Sequence, residues 1–174
     1  ARLAEPQYLW GVMPNSLPNP TGDVFVLDEL SLSKGKSTSR KSSRLRMIQP
    51  VQRSQKAKVQ RLLNFLQPGT YIRPHCHPLK QATESVCLLS GHLEVLIFNS
   101  HGSIHTRHHL TPTSPLIDIE PGVWHGMIVQ APDTVIFEVK KGPYNPKTDK
   151  KFASWSPEEG SPDVKEFLAR LQKG

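Results

Sequence analysis

Turns rich in proline and glycine divide the chain into short runs of alternating apolar residues, and this spacing is what most restricts its fold. The turn signals lie at residues 67–69, 99–102, 120–122 and 131–133. Between them the alternation predicts strands at residues 59–66, 70–77, 84–90, 92–98, 103–110, 116–119, 123–129 and 134–140. Many short strands separated by turn signals are typical of an all-β sandwich or barrel. Eight strands predict a double-sheet jelly roll.

Three histidines and a glutamate occur in this pattern where their side chains can meet. His75 and His77 share a predicted strand and point to the same face, because side chains alternate along a strand. Glu84 opens the next strand, and His125 follows a Pro-Gly turn on a third. Scattered, hydrogen-bonded histidines are the alternative, since the chain has eight. The combined spacing favours a metal site formed by His75, His77, Glu84 and His125.

The chemistry of these ligands narrows the type of ion. Four ligands leave open positions on a six-coordinate ion, an arrangement that lets a substrate bind the metal directly. Imidazole and carboxylate suit one divalent ion of Fe, Mn, Ni, Zn or Co. Cu(I) is disfavoured because no thiolate or thioether is clearly placed to coordinate.

The histidine segments resemble the two motifs of the cupin superfamily, and the similarity extends to WbuC-type cupin-fold metalloproteins. It covers roughly residues 40–174, and its matching segments are residues 59–63, 71–77, 89–98, 123–125, 137–144 and 149–160. The six residues between His77 and Glu84 are a longer gap than in general cupins but look like the WbuC pattern. Val129 stands where general cupins have an asparagine. The resemblance implies a double-stranded β-helix, a bound metal and an association with surface-polysaccharide metabolism.

Length and composition indicate one globular domain in three parts. A chain of 174 residues is long enough for a single barrel. We expect an N-terminal arm and basic loop at residues 1–58, in which residues 24–27 can add a strand and residues 44–49 re-enter structure. The cupin barrel follows at residues 59–142. A covering segment at residues 143–160, here called the strap, then leads to a C-terminal α-helix with Ser161 as its N-cap.

The net charge of +7 raises the question of a nucleic-acid partner. The lysines and arginines cluster around residues 34–46 and 140–151 without interleaved aromatic residues or a nucleic-acid motif, so specific nucleic-acid binding is disfavoured. The same charge favours a small anionic ligand, such as a phosphorylated sugar. The sequence contains no apolar run that could span a membrane and no signal-peptide core, which predicts a cytoplasmic protein. The first residue is Ala1, so a removed upstream segment stays open, and the arm makes a homodimer plausible.

Because side chains alternate between the two faces of a strand, the sequence also indicates which residues surround the metal. Tyr71 and Arg73 are predicted to share the face of His75, with Tyr71 as a proton-transfer group and Arg73 as a clamp for a carboxylate or phosphate. A surface salt bridge is the alternative for Arg73. Glu138 and Lys140 face the cavity if their apolar neighbours face outward. Tyr144 is a candidate acid or lid residue on resemblance alone.

The two cysteines and a second group of histidines are interpreted as structural rather than functional residues. Cys76 and Cys87 are expected as buried thiols that face away from the ligands, with a disulfide possible only if their strands pair in register. A bulge near Pro74 would change the parity of Cys76. A second metal site at His101, His105, His108 and His109 is disfavoured because these residues fall on both faces of one strand and in the turn before it.

Three functions remain open at this point. The first is a metal-dependent enzyme, such as an isomerase or epimerase, that acts on a sugar or sugar nucleotide. The second is an Fe(II) dioxygenase, and the third is a non-catalytic cupin that binds a metabolite. Enzyme and binder differ in having a proton-transfer group over the metal, for which Tyr71, Glu138 and Tyr144 are the candidates.

Overall fold

Ten strands and two helices form the part of the chain described by the computed structural model, residues 15–173. In chain order the elements are α1 Glu29–Lys41, β1 Arg46–Pro50, β2 Val59–Leu66, β3 Ile72–Cys76, β4 Glu84–Ser90, β5 Leu93–Phe98, β6 Ile104–Leu110, β7 Leu116–Ile119, β8 Trp124–Val129, β9 Thr134–Lys141, β10 Lys151–Phe152 and α2 Val164–Lys173. The eight predicted strands are all present as β2 to β9, within two residues at each end. Neither helix has the length and apolarity needed to cross a membrane.

The strands form two five-stranded antiparallel sheets that face each other. One sheet has the order β1-β2-β9-β4-β7 and the other β10-β3-β8-β5-β6. Strand pairs β2–β9, β3–β8, β4–β7 and β5–β6 are nested in the chain, so the barrel is a long hairpin folded over on itself. This pairing confirms the all-β jelly roll, and each sheet therefore offers alternate residues to a shared interior.

Three apolar clusters hold these layers together. The largest lies between the sheets and includes Leu66, Val86, Leu93, Val95 and Ile136. The other two lie on the outer faces of the sheets. One joins the β1-containing sheet to α1 and to the segment before it, and the other joins the opposite sheet to the strap and α2. Both terminal segments thus cover the barrel rather than extend from it.

Helix α1 occupies a region where the sequence predicts a polar loop. The segment is rich in serine and lysine and contains Gly35, so its intrinsic helix propensity is poor. Three contacts stabilise it: the Asp28 side chain accepts a hydrogen bond from the Ser31 amide as an N-cap, Arg40 pairs with Asp133, and Gly35 lies against the ring of Phe65. Tertiary packing therefore overrides local propensity here.

The segment at residues 24–27 is not a strand, contrary to the expectation. Phe25 and Leu27 pack against the outer cluster that includes Met47 and Phe65, while Val24 and Val26 face solvent. The alternation that suggested a strand is real, but no neighbouring strand pairs with the segment within residues 15–173. By contrast, the expected return to structure at residues 44–49 is confirmed by β1.

The strap and α2 cover the outer face of the second sheet. Trp155 of the strap contacts the rings of Phe98, Trp124 and Phe167. Phe167 and Leu171 are the buried residues of α2, which begins at Val164, three residues after the predicted N-cap. Cys76 and Cys87 are both free, and they lie on β3 and β4 in different sheets, so the register needed for a disulfide does not exist.

Candidate metal centre

His75, His77, Glu84 and His125 converge inside the barrel, as the sequence predicts. Their candidate ligand atoms all lie within 4.8 Å of one another, and all four residues are buried. His75 and His125 are direct partners across β3 and β8, while Glu84 comes from β4 of the opposite sheet. The cluster therefore bridges the two sheets at one point of the interior.

Each histidine is oriented by a main-chain carbonyl group. The Nδ1 atoms of His75, His125 and His77 lie 2.8, 2.9 and 2.6 Å from the carbonyl oxygens of Arg73, Val123 and Asp149. A carbonyl oxygen only accepts hydrogen bonds, so each Nδ1 carries the proton and each Nε2 keeps a lone pair. Fixing the tautomer in this way is how proteins prepare histidine for a metal.

Several polar atoms of the cluster have no hydrogen-bonding partner although they are fully buried. They are Nε2 of His75, Nε2 of His125 and Oε2 of Glu84. The last two lie 3.0 Å apart but are not aligned for a hydrogen bond. Buried polar atoms without a partner cost free energy, and a cation between them would satisfy all three.

The protonation states also suit a cation. Burial, followed by the positive charge of Lys150, holds the pKa of His75 well below its ordinary value, so its ring is neutral. Burial opposes ionisation of Glu84, but contacts from His125 and His77 outweigh it and lower the pKa of its carboxyl well below its ordinary value. Neutral imidazole and ionised carboxylate are the forms that bind a metal.

A cavity of about 450 Å³ opens beside this cluster, with His75 and Glu84 in its wall. Its apolar wall includes Ile72, Met127 and Ile136. Met127 lies two residues after His125 on β8 and therefore shares its face. The volume lies in the range of sites that hold a small metabolite.

Glu138 and Lys140 lie in the cavity wall, on the face that the alternation of β9 allowed. The Lys140 ammonium lies 2.9 Å from Oδ2 of Asp149 and 3.4 Å from Oε1 of Glu138. Burial opposes the charge of Lys140, but Glu138 and Asp149 more than compensate and raise its pKa. Burial and then the charge of Glu84 raise the pKa of Glu138, to which Asn64 donates a hydrogen bond of 3.1 Å.

Two further residues at the cavity come from the strap. Tyr144 lies at the rim, and its side chain is largely accessible, with the residue 46% exposed. Lys150 lines the cavity, and burial followed by repulsion from Lys140 lowers its pKa. Unlike Lys140, it has no hydrogen bond from its ammonium group to any residue between 15 and 173.

The structure places Tyr71 and Arg73 outside the cavity, contrary to the expected shared face. Tyr71 packs on Phe167 beneath α2 and donates a hydrogen bond of 2.8 Å to the carbonyl oxygen of Pro157. Arg73 reaches strap atoms of Ser156 and Ala153 and lies 3.6 Å from Glu158. The pairing of β3 with β8 shifts register between Ile72 and His75, so this bulge reverses the side-chain parity upstream of the ligands. A bulge near Pro74 was considered above for its effect on Cys76. The bulge is present, but the side chains whose orientation it changes are those of Tyr71 and Arg73.

Gln60, Asn64, Asp149 and Lys150 line the cavity without having been selected from the sequence. Gln60 and Asn64 lie on β2 at an even spacing, with Leu62 between them on the same face. Two polar residues on the same face of a mostly apolar strand were the signal that could have identified them. Asp149 and Lys150 had no comparable signal, because their positions depend on the path of the strap.

Comparison with known families gives one match. A family model described as a domain of unknown function, DUF6016, matches residues 27–110. The matched segment runs from just before α1 to the end of β6, and it includes His75, His77 and Glu84 but not His125. A comparison with curated proteins found no match.

Several solved structures are similar to part of the chain. Oxalate decarboxylase of Lactobacillus farciminis, in a formate complex, is 20% identical over 55% of this chain and 26% of its own, with a TM-score of 0.44. The capsular polysaccharide assembling protein CapF of Staphylococcus aureus is 17% identical over 55% of this chain and 26% of its own, with a TM-score of 0.46. KdgF from Halomonas sp. is 16% identical over 59% of this chain and 82% of its own, with a TM-score of 0.45. This chain thus spans about a quarter of the first two proteins, and likeness at this level says nothing of activity.

The fold and the candidate metal centre together define the structural class of this protein. Nested antiparallel strand pairs in two sheets, enclosing a buried cluster of three histidines and one glutamate, are the arrangement of a cupin-type jelly roll. The residues present fit a divalent metal ion by number, protonation state and the unpartnered atoms described above.

Proposed function

We propose that the protein is a metal-dependent cupin that binds and converts a small anionic metabolite. One observation carries this proposal: three imidazoles and a carboxylate converge beside a cavity of about 450 Å³, with His75 and Glu84 in its wall, and buried charged groups also line that cavity. A metal that only held the fold together would need no cavity beside it and no charged lining.

His75, His77, Glu84 and His125 would hold the ion. A divalent ion in such a site supplies Lewis acidity, which polarises a carbonyl or hydroxyl oxygen of a substrate. The chain's own residues bind and orient that substrate. Lys150 presents an ammonium group without a hydrogen bond among residues 15–173, and we assign it to a carboxylate or phosphate of the substrate.

Glu138 is the group best placed to move a proton. It lines the cavity, its pKa is raised by burial and by Glu84, and Asn64 fixes its orientation. A carboxyl group in this state can donate a proton to one substrate atom and accept one from another, which isomerisation and epimerisation both require. Tyr144 at the rim is the second candidate for this role.

The substrate class rests on the sequence resemblance rather than on the cavity. Similarity to WbuC-type proteins supports a sugar or sugar nucleotide of surface-polysaccharide metabolism, and the charged lining is compatible with it. A cytoplasmic location and a homodimer belong to the same set of expectations. Binding without turnover is the second candidate function, and one observation favours it: Tyr71, expected over the metal, lies under α2 instead.

Elemental analysis of the untagged chain tests the metal. We expect the wild type to contain about one equivalent of a divalent metal more than His77→Ala, while His101→Ala, which changes an exposed turn residue, keeps the wild-type content. A thermal-unfolding scan gives a readout independent of activity, because a ligand that binds only the folded state raises Tm. Equal metal content in wild type and His77→Ala, or none in the wild type after reconstitution, contradicts the proposal.

A second experiment separates the candidate functions. The metal-loaded protein is incubated with sugar phosphates and nucleotide sugars, and both ligand binding and product formation are followed by NMR. Conversion that stops in Glu138→Gln, with binding retained, supports the enzyme. Binding without conversion supports the binding protein, and oxygen consumption by an iron-loaded sample supports the dioxygenase instead.

A further inference from the structure

His92 and His109 meet on the outer surface of the barrel, far along the sheet from the candidate metal centre. The Nε2 atom of His92 lies 3.2 Å from the Nδ1 atom of His109, and the ring centroids are 5.3 Å apart. His92 precedes β5 directly, and His109 lies on β6 opposite Glu94. The two strands therefore bring together histidines that are 17 positions apart in the chain.

This nitrogen–nitrogen distance is the one that a shared metal ion requires. Two imidazole nitrogens bound to zinc at about 2.05 Å, with a tetrahedral angle of about 109° between them, lie about 3.3 Å apart. An octahedral ion with adjacent ligands at about 2.1 Å gives about 3.0 Å. The observed 3.2 Å falls between these two values.

The backbone of His92 is anchored by two hydrogen bonds, and a buried carboxylate lies near the ring of His109. The amide of His92 donates to Thr134 Oγ1, and its carbonyl oxygen accepts from the Gln130 amide at 3.0 Å. The Nε2 atom of His109, on the far side of its ring, faces Oε1 of buried Glu94 at 4.0 Å. Arg107 and Gln130 hold that carboxylate by hydrogen bonds of 2.7 and 2.8 Å. At 4.0 Å the carboxylate makes no hydrogen bond to the ring, but its negative charge favours a cation held there.

We propose that His92 and His109 form a second, surface metal site, selective for transition-metal ions that favour imidazole, namely Zn²⁺, Ni²⁺ or Cu²⁺. Two protein ligands leave the remaining positions to water, since the side chain of His109 is 54% exposed. Two other exposed histidines have partners of their own: His101 pairs with Ser100, and His108 pairs with Thr106. His105 lies four residues before His109, near the opposite end of β6. The site is independent of the function proposed for the barrel.

Zinc titration of the untagged full chain by calorimetry tests this site. We expect wild type to bind one more equivalent of zinc than His92→Ala or His109→Ala. His108→Ala is the matched control, because it removes an exposed histidine from the same strand and should keep the wild-type stoichiometry. His77→Ala should lose only the equivalent bound in the barrel, which distinguishes the two sites.

A second measurement separates coordination from a simple hydrogen bond between the two rings. On addition of Zn²⁺, the ¹⁵N NMR signals of His92 Nε2 and His109 Nδ1 should shift together, at a stoichiometry of one ion. His92→Gln retains a hydrogen-bonding side chain and should still lose the zinc equivalent. Equal zinc stoichiometry in wild type and His92→Ala, or an equal loss in His108→Ala, would overturn the proposal.

Discussion

The Nδ1 atom of His77 donates a hydrogen bond of 2.6 Å to the main-chain carbonyl oxygen of Asp149, so the strap orients a candidate metal ligand on the segment after β3. The side chain of the same aspartate binds Lys140 at 2.9 Å. One residue of the strap thus contacts the candidate metal centre through its backbone and the charged cavity wall through its carboxylate.

Because the backbone and the side chain of Asp149 make separate contacts, we predict different effects for two variants. Asp149→Ala keeps the carbonyl group that orients His77, so we expect nearly full metal content. Binding of an anionic ligand should become tighter, because a negative charge leaves the cavity wall and the ammonium group of Lys140 is released from its partner. His77→Ala removes a ligand and should lose the metal. Elemental analysis and ligand titration on both variants check the prediction, and loss of metal in Asp149→Ala would show that the side chain, rather than the carbonyl group, supports the centre.

Lys140→Met should destabilise the fold by about 3 kcal/mol. The substitution leaves Glu138 and Asp149 as buried or half-buried acids without their cation, and breaking a buried ion pair on one side is costly. The double variant Lys140→Met with Glu138→Gln should recover part of this loss. Urea unfolding of both variants measures the coupling, and Lys147→Met serves as the exposed control. Strictly additive effects would contradict the coupling of Lys140 with Glu138.

Gly35→Ala should destabilise the protein although alanine favours helices. The gain in helix propensity is about 1 kcal/mol. A Cβ atom at this position would lie 2.3 Å from Cζ of Phe65, and overpacking of this kind costs about 1–3 kcal/mol. We expect a net loss in the free energy of unfolding by chemical denaturation, with Ser33→Ala as the exposed control on the same helix. The combination of Gly35→Ala with Phe65→Leu should relieve the clash, and a more stable single variant would disprove the contact.

Glu159 should make stability depend on pH in the acidic range. Burial opposes its charge, but Arg44 and Arg46 outweigh that effect and lower the pKa of its carboxyl below the ordinary 4.5. A depressed pKa means that its contribution is fully present above pH 4.5 and is lost as the pH falls through the folded-state value. Glu159→Gln should therefore cost about 1–2 kcal/mol at pH 7, after allowance for partial solvent exposure, and little at pH 3. Denaturation at both pH values checks this, and a pH-independent difference would refute it.

The strands were predictable because their signals are local. Turn residues and period-two alternation fix each strand from its own sequence, and the pair His75 and His77 identifies a ligand strand by spacing alone. Helix α1 was not predictable in this way, because Gly35 and a series of serines disfavour a helix locally. Its stability comes from Phe65 and Asp133, which are distant in sequence.

The residues of the candidate site also divide into those that a local sequence pattern predicts and those that it does not. The four candidate ligands lie where parity and the family resemblance put them, and Glu138 and Lys140 follow the alternation of β9. Tyr71 and Arg73 do not, because one bulge between Ile72 and His75 reverses the parity. The alternation of side chains predicts which face a residue occupies only as far as the next bulge in the strand pairing.

The two residues of β10 also change the exposure of β3, the strand that carries His75. Lys151 and Phe152 pair with Cys76 and His75, so β3 is an interior strand and the sheet edge is a ladder of only two residues. Unpaired strand edges are templates for aggregation, and very short edge strands are a natural defence. A proteolytic nick that freed the strap would therefore expose an unpaired strand edge beside the candidate metal centre, which makes solubility depend on the strap staying in place.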